Sequence, residues 1–200
     1  MRLYLIRHGE TKYNKIHKFI GRTDIELSPK GILQAEALSS YLRMKPIKSI
    51  YSSDMLRARQ TAEIIARPHG LKVLLRENLR EIDFGDWEGK TYDEIEALDG
   101  QKVREWVSSP QDVIIPGGES WQDFKTRVIY TINRIIDEEK DGDVVLVTHG
   151  GPIKLLISYF LRDDRDFFKS FWPSTGSLHI VDLSHQEPRV VLLNEVCYKK

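Results

Sequence analysis

Two hundred residues, 40% hydrophobic and 30% charged, suffice for one globular domain with a sizeable core. Lys+Arg and Asp+Glu tie at 30 each, so no net field favours nucleic acid or an anionic membrane, and a positive site must come from placement. The single Cys197 excludes an intrachain disulfide and suits a reducing compartment.

In chain order, Arg2–Ile6 reads as a strand. Ser28-Pro29 supplies an N-cap and a proline at the first helical position, and Ile32, Ala35, Leu38 and Leu42 follow at helical spacing. Residues 49–51 form a short strand, Ser53 is placed to cap a helix running to Ala66, and Arg67-Pro68-His69-Gly70 breaks it before a strand over 72–75. Thr91 and Glu94 match a capping box ahead of Ile95 and Leu98. Pro116-Gly117-Gly118 is a turn, and Ser120 opens the longest helix, with Phe124, Val128, Ile132, Ile135 and Ile136 on one face and Asp141-Gly142 at its end. Residues 144–147 are a wholly apolar strand, the kind buried in a parallel sheet. Pro152 starts a helix through Leu161, and 178–183 with 190–193 form a closing hairpin. No repeat, low-complexity tract or linker interrupts residues 1–200, so one domain is expected. The fold class is α/β, a three-layer sandwich with a mostly parallel central sheet and helices on both faces. The apolar run before Arg7 is too short for a signal-peptide core, and no stretch nears the ~20 apolar residues of a membrane helix, so a soluble cytoplasmic protein is expected.

Two strand ends look alike. Leu5-Ile6-Arg7-His8-Gly9 and Leu146-Val147-Thr148-His149-Gly150 each run apolar strand, polar residue, His, Gly. Ligands of open α/β sheets sit beyond the carboxyl ends of the strands, so neighbouring strands would send both imidazoles into one crevice. A glycine after each histidine lets backbone N–H groups approach a ligand, and the Pro152 helix start adds partial positive charge. A lone strand-end histidine is more often a packed residue, so the pair by itself leaves both readings open.

The surrounding segments resemble the histidine phosphatase superfamily, in its phosphoglycerate-mutase-like branch. Arg7-His8-Gly9-Glu10-Thr11 with Asn14 carries the resemblance first, followed by Phe19-Ile20-Gly21, Leu27-Ser28 and Gly31. It continues through Ser52-Ser53, Arg57-Ala58, Thr61-Ala62, Leu79-Arg80-Glu81, Phe84-Gly85, Glu88-Gly89, Pro116-Gly117-Gly118-Glu119-Ser120 and Thr148-His149-Gly150. The resemblance implies that His8 attacks phosphorus and becomes phosphohistidine, that His149 donates to a phosphoryl oxygen, and that Glu81 protonates the leaving oxygen. Arg7 and Arg57 would grip the anion with planar forks that lysine lacks. Asn14, Gly21 and Gly150 are the phosphate- or substrate-binding positions. No metal and no cofactor is called for: His8, His17 and His149 do not have the spacing of a zinc motif. Glu10 and Asp24 are read as structural or rim residues, Trp87, Trp106, Trp121 and Trp172 as core, and Asp163 to Asp166 as a solvated loop. Trp87 or Tyr92 is the alternative candidate for the substrate mouth.

Three departures separate the chain from the mutases it resembles. They carry an adjacent arginine pair between the acid and the second histidine, where only Arg104 and Arg127 stand here; Asn after the second His-Gly, where Gly151 stands; and a hydroxyl residue after the phenylalanine, where Ile20 stands. The expected activity is a metal-independent phosphomonoester hydrolase acting on a small phosphorylated metabolite, as monomer or homodimer, with no nucleic-acid or membrane partner. Residues 80–91 and 116–120 look most like α-ribazole-5′-phosphate phosphatases of cobalamin assembly. Phosphoglycerate mutase, phosphoserine or broad-specificity phosphatase, and a non-catalytic phosphate-binding scaffold are the alternatives.

Overall fold

Alternation along the first strand divides the molecule into layers. In the computed structural model, which describes residues 1–140, 142–162 and 171–198, β1 (Arg2–Arg7) buries Leu3 and Leu5 against one set of helices and Tyr4 and Ile6 against another. A single turn α1 (Lys12–Lys15) and α2 (Pro29–Leu42) lead to β2 (Ile47–Ser52), and α3 (Leu56–Ala66) leads to β3 (Val73–Leu75). Next come α4 (Tyr92–Ser108), α5 (Trp121–Glu138), β4 (Asp143–Thr148), α6 (Gly150–Leu161), β5 (Leu178–Asp182) and β6 (Arg189–Glu195), with short 3-10 turns between.

The strand order is β3-β2-β4-β1-β5-β6. The first four are mutually parallel; β5 and β6 run antiparallel and close one edge. One apolar layer packs Leu38 and Leu42 of α2 and Ala58, Ala62 and Ile65 of α3 on Tyr4, Ile50 and Val145. The other packs Phe124, Val128 and Ile132 of α5 and Ile153 and Leu156 of α6 on Leu3, Leu5 and Leu146. Helices on both faces of a mostly parallel sheet are what the sequence implied. No described helix is long and apolar enough to cross a membrane.

Local corrections have local causes. Ser53 does not cap α3: Met55 holds the N-cap position without a side-chain bond, and the Leu56 N–H goes to Asp24 Oδ1 at 2.6 Å. Ile32 is 43% exposed and Leu98 72% exposed, so neither is core. Gly31 and Gln34 take the buried face of α2, and α4 breaks at Asp99, whose φ of −150° and ψ of 65° lie outside the helical region. α6 begins at Gly150, two residues before Pro152. The expected loop from Asp163 to Asp166, and Asp141 at the end of the long helix, lie outside the described residues.

Candidate active site

The sheet register brings the two histidines together. β1 and β4 are parallel neighbours, Arg7 pairs with Thr148, and the His8 N–H extends the ladder to the Thr148 carbonyl at 3.0 Å. The imidazoles leave adjacent strand ends side by side, centroids 5.1 Å apart and planes 63° apart. Both are buried. Gly9 is required where β1 turns away, because a Cβ there would run into the Gly31 backbone oxygen of α2.

Hydrogen bonding decides which nitrogen of His8 carries the proton. Nδ1 lies 2.7 Å from the Gly9 carbonyl oxygen. A carbonyl only accepts, so Nδ1 carries the proton and Nε2 presents a bare lone pair. Burial, then Arg57 and Arg7, hold the His8 pKa well below the usual imidazole value, so the ring is neutral at pH 7. On His149, Nε2 lies 2.9 Å from Ser53 Oγ, while Nδ1 is buried with no hydrogen-bond partner among the described residues. Burial and then Arg57 likewise keep His149 neutral.

Two guanidinium groups supply the charge. Arg7 donates from one terminal nitrogen to the Pro173 carbonyl at 2.6 Å, and its Nε is buried without a partner among the described residues. Arg57, the second residue of α3, donates to the Thr23 and Gly21 carbonyls at 2.9 and 3.0 Å. Burial pulls both down to about 10, which leaves both charged at neutral pH. The Gly21 and Thr23 N–H groups are themselves held by Glu88, at 2.8–3.0 Å. Both backbone groups of Gly21 are therefore engaged, and it buttresses Arg57 instead of meeting a phosphate. Asn14 does line the cavity; its Oδ1 accepts from the Thr11 N–H and hydroxyl, each at 3.0 Å, so its amide nitrogen is the end available to an anion. Gly150 sits in the first turn of α6, where N–H groups and the helix dipole favour negative charge.

Glu81 stands opposite this charge. Its Oε2 accepts from the Gly151 N–H and its Oε1 from the Ile82 N–H, both at 3.0 Å. Gly151 permits the approach: a Cβ there would collide with Oε1. Burial raises the Glu81 pKa, opposed by the two N–H bonds and by Arg7 and Arg57. Behind it, Arg127 pairs with Glu119 and donates to the carbonyls of Asn78, Arg80 and Glu81. Thr148 Oγ1 donates to the Leu79 carbonyl at 2.6 Å and ties the loop that carries Glu81 to β4.

Arg7, His8, Asn14, Arg57 and Glu81 share the lining of one cavity of about 820 Å³. A shallow hollow of about 530 Å³ beside α3 and β3 shares none of its residues. Phe19, Phe84 and Trp106 meet edge to face, with ring centroids 5.2–5.7 Å apart, and form one wall of the large cavity. Phe171 and Trp172 contribute to the lining beside Lys154. Trp106 packs against the core with one side and lines the cavity with the other, half-exposed Trp172 is not core, and Trp87 is core; neither Trp87 nor Tyr92 lines the cavity. Glu10 and Asp24 are structural, as expected: Glu10 pairs with Lys30 at 2.9 Å. Lys154 was not singled out in the sequence. It is buried, lies 4.9 Å over the Trp172 ring and is pulled down to about 8 by burial. Its signal was available, as the one charge in the apolar run Ile153–Ile157 of α6. Among the described residues no group of three or more His, Cys, Asp and Glu side chains is arranged to hold a metal.

The chain matches the histidine phosphatase superfamily (branch 1) over residues 3–196. It is 32% identical to the adenosylcobalamin/alpha-ribazole phosphatase of Salmonella typhimurium, over 97% of this chain and 96% of that protein. It is 35% identical to a probable phosphoglycerate mutase, GpmB, of Salmonella choleraesuis, over 80% of this chain and 75% of that protein. Among solved structures, Bacillus stearothermophilus YhfR superposes with a TM-score of 0.92 at 32% identity, covering 99% of each chain.

Proposed function

The chain belongs to the histidine phosphatase superfamily, branch 1, as an enzyme that hydrolyses phosphate esters, and from that premise we propose a phosphohistidine mechanism carried by its own side chains. The observation that carries the reading is the state of His8: neutral, its Nδ1 proton committed to Gly9, and its bare Nε2 beside His149 in a cavity shared with Arg7, Arg57 and Glu81. A neutral nitrogen lone pair needs no base to remove a proton before it attacks.

In the first step the Nε2 lone pair forms the N–P bond and the ester P–O bond breaks. The departing electron pair stays on the alcohol oxygen, which takes the proton of Glu81. Arg7, Arg57, His149 and the Gly150 N–H face the charge that spreads over the phosphoryl oxygens. In the second step water attacks phosphorus, the Glu81 carboxylate takes its proton, and the N–P pair returns to His8. A buried carboxyl with a raised pKa suits this alternation.

For the leaving group we propose a bulky, ring-bearing alcohol of the α-ribazole kind. The cavity far exceeds the volume of a phosphate, and Phe19, Phe84 and Trp106 offer flat apolar surface. The mutase reading lacks a carboxylate clamp: Arg104 pairs with Glu96 on the surface, and Arg127 is committed to Glu119 and three carbonyls. Rapid quench with a labelled ester tests the mechanism. Acid-labile label accumulates on the wild type and not on His8→Ala, and EDTA leaves turnover intact. Loss of activity in EDTA that zinc or magnesium restores would refute it. A panel of α-ribazole phosphate, phosphoserine and 3-phosphoglycerate tests the substrate; robust isomerisation of 3-phosphoglycerate with little phosphate release overturns hydrolysis.

A further inference from the structure

Ser53 reads in sequence as a helix cap, but its hydroxyl lies against a catalytic imidazole. It follows the last residue of β2, and its N–H donates to the Val147 carbonyl at 2.9 Å, which fixes it to the strand that presents His149. Its side chain is fully buried, with Oγ 2.9 Å from His149 Nε2. The other contact of Oγ is the Met55 N–H at 3.4 Å, which only donates and so occupies an oxygen lone pair.

Two arrangements of protons satisfy these distances. In one, Oγ also accepts an Nε2–H; the serine hydrogen then has no acceptor among the described residues, and the buried Nδ1 of His149 is a bare lone pair. In the other, the hydroxyl donates to Nε2, and the imidazole proton resides on Nδ1. The second satisfies the Ser53 hydroxyl and leaves only the His149 Nδ1–H without a partner among the described residues, a donor that a phosphoryl oxygen can meet. It also gives the Nδ1 atom, buried and unpartnered in the described structure, a hydrogen to offer. A phosphoryl dianion carries only acceptors, so it is attracted by Nδ1–H and repelled by a lone pair there.

We propose that Ser53 is a positioning residue whose hydroxyl donates to His149 Nε2, keeps the single ring proton on Nδ1, and so makes His149 a hydrogen-bond donor to the phosphoryl group. The proposal rests on the reading of His149 as a phosphoryl-contacting residue. The two imidazoles are then set by different devices: the carbonyl of Gly9 leaves His8 a bare nitrogen for attack, and the hydroxyl of Ser53 leaves His149 a donor for charge. Because burial and the two arginines keep His149 neutral, proton position, and not net charge, is what Ser53 controls.

The test is ¹⁵N NMR of the histidine side chains, with His149 assigned by its absence in His149→Ala, beside steady-state kinetics. The wild type shows a protonated Nδ1 and a bare Nε2 on His149. Ser53→Ala moves the proton to Nε2 and lowers kcat about ten- to a hundredfold with KM within about twofold, less than loss of a whole oxyanion donor. Ser53→Thr keeps the hydroxyl and recovers both the Nδ1–H signature and most of the rate. An Nε2–H signature in the wild type, or a Ser53→Ala rate within twofold of wild type, overturns the proposal and leaves the site reading standing. Full turnover by His149→Ala overturns the site reading itself, and with it any catalytic purpose for Ser53.

Discussion

In its proposed role as acid, Glu81 has to hold a proton in a pocket that also contains two guanidinium groups, so burial has to outweigh their attraction for its carboxylate. The pKa is raised on balance, with burial the largest cause and the Gly151 and Ile82 N–H groups opposing. If the protonated form serves the leaving oxygen as proposed, turnover of alkyl esters should fall as pH rises through that raised value. Glu81→Gln should lower kcat on alkyl esters by about 10²–10⁴, while an aryl ester with a good leaving group loses under about tenfold in its burst phase. Equal losses on both esters would remove the acid role. The residues proposed for this chemistry were legible because strand-end His-Gly pairs and family spacing mark them, and Arg7, His8, Asn14, Arg57 and Glu81 line one cavity. Trp106 was not, since helical phase counted from Ile95 is lost at Asp99, and Gly21 was misread because a backbone contact leaves no side-chain trace.

The elements matter through what their ends are tied to. α3 carries Arg57, yet its first turn is capped from the loop before α2: Leu56 N–H to Asp24 Oδ1, 2.6 Å and 32 positions apart. The same loop supplies the Gly21 and Thr23 carbonyls that hold the Arg57 guanidinium. Asp24→Ala should cost about 1 kcal/mol, the value of an N-cap, and lower Tm by ~2–4 °C at this chain length. Turnover should drop as well, by about three- to tenfold from loosened Arg57 geometry. Asp24→Asn keeps the accepting oxygen and should restore most of both. Melting and turnover unchanged in Asp24→Ala would mean that α3 draws its cap from elsewhere. Nothing near Ser53 in the sequence discloses such a long-range cap, whereas strands and long helices announce themselves by period. Strand order was legible only as a condition, that β1 and β4 be neighbours. It is met because the connection from β1 to β2 leaves a gap in the parallel sheet that β4 fills.

For the whole molecule, the neutrality on which the proposed attack by His8 depends imposes a sensitivity to acid. His8 and His149 have pKa values well below the ordinary imidazole value, from burial first and the arginines next, and buried His179 is pushed down to about 3 by burial. In the unfolded chain all three take protons as pH falls past ~6.5, while in the folded protein they stay neutral. The unfolded state then binds more protons, so stability is full above ~6.5 and declines below it. Each imidazole contributes up to ~1.4 kcal/mol per pH unit once its unfolded form is charged, so together they approach ~4 kcal/mol per unit. Glu81 works the other way: its raised pKa makes the folded protein bind a proton before the unfolded one does, which offsets part of the decline between that value and the ordinary carboxyl range. Equilibrium denaturation from pH 8 to pH 5 should therefore show a plateau and then a steep loss, and His179→Asn should make that slope shallower by about a third. A flat profile down to pH 5.5 would mean that these imidazoles accept protons in the folded state, and the bare nitrogen on which the attack by His8 depends would be lost with them.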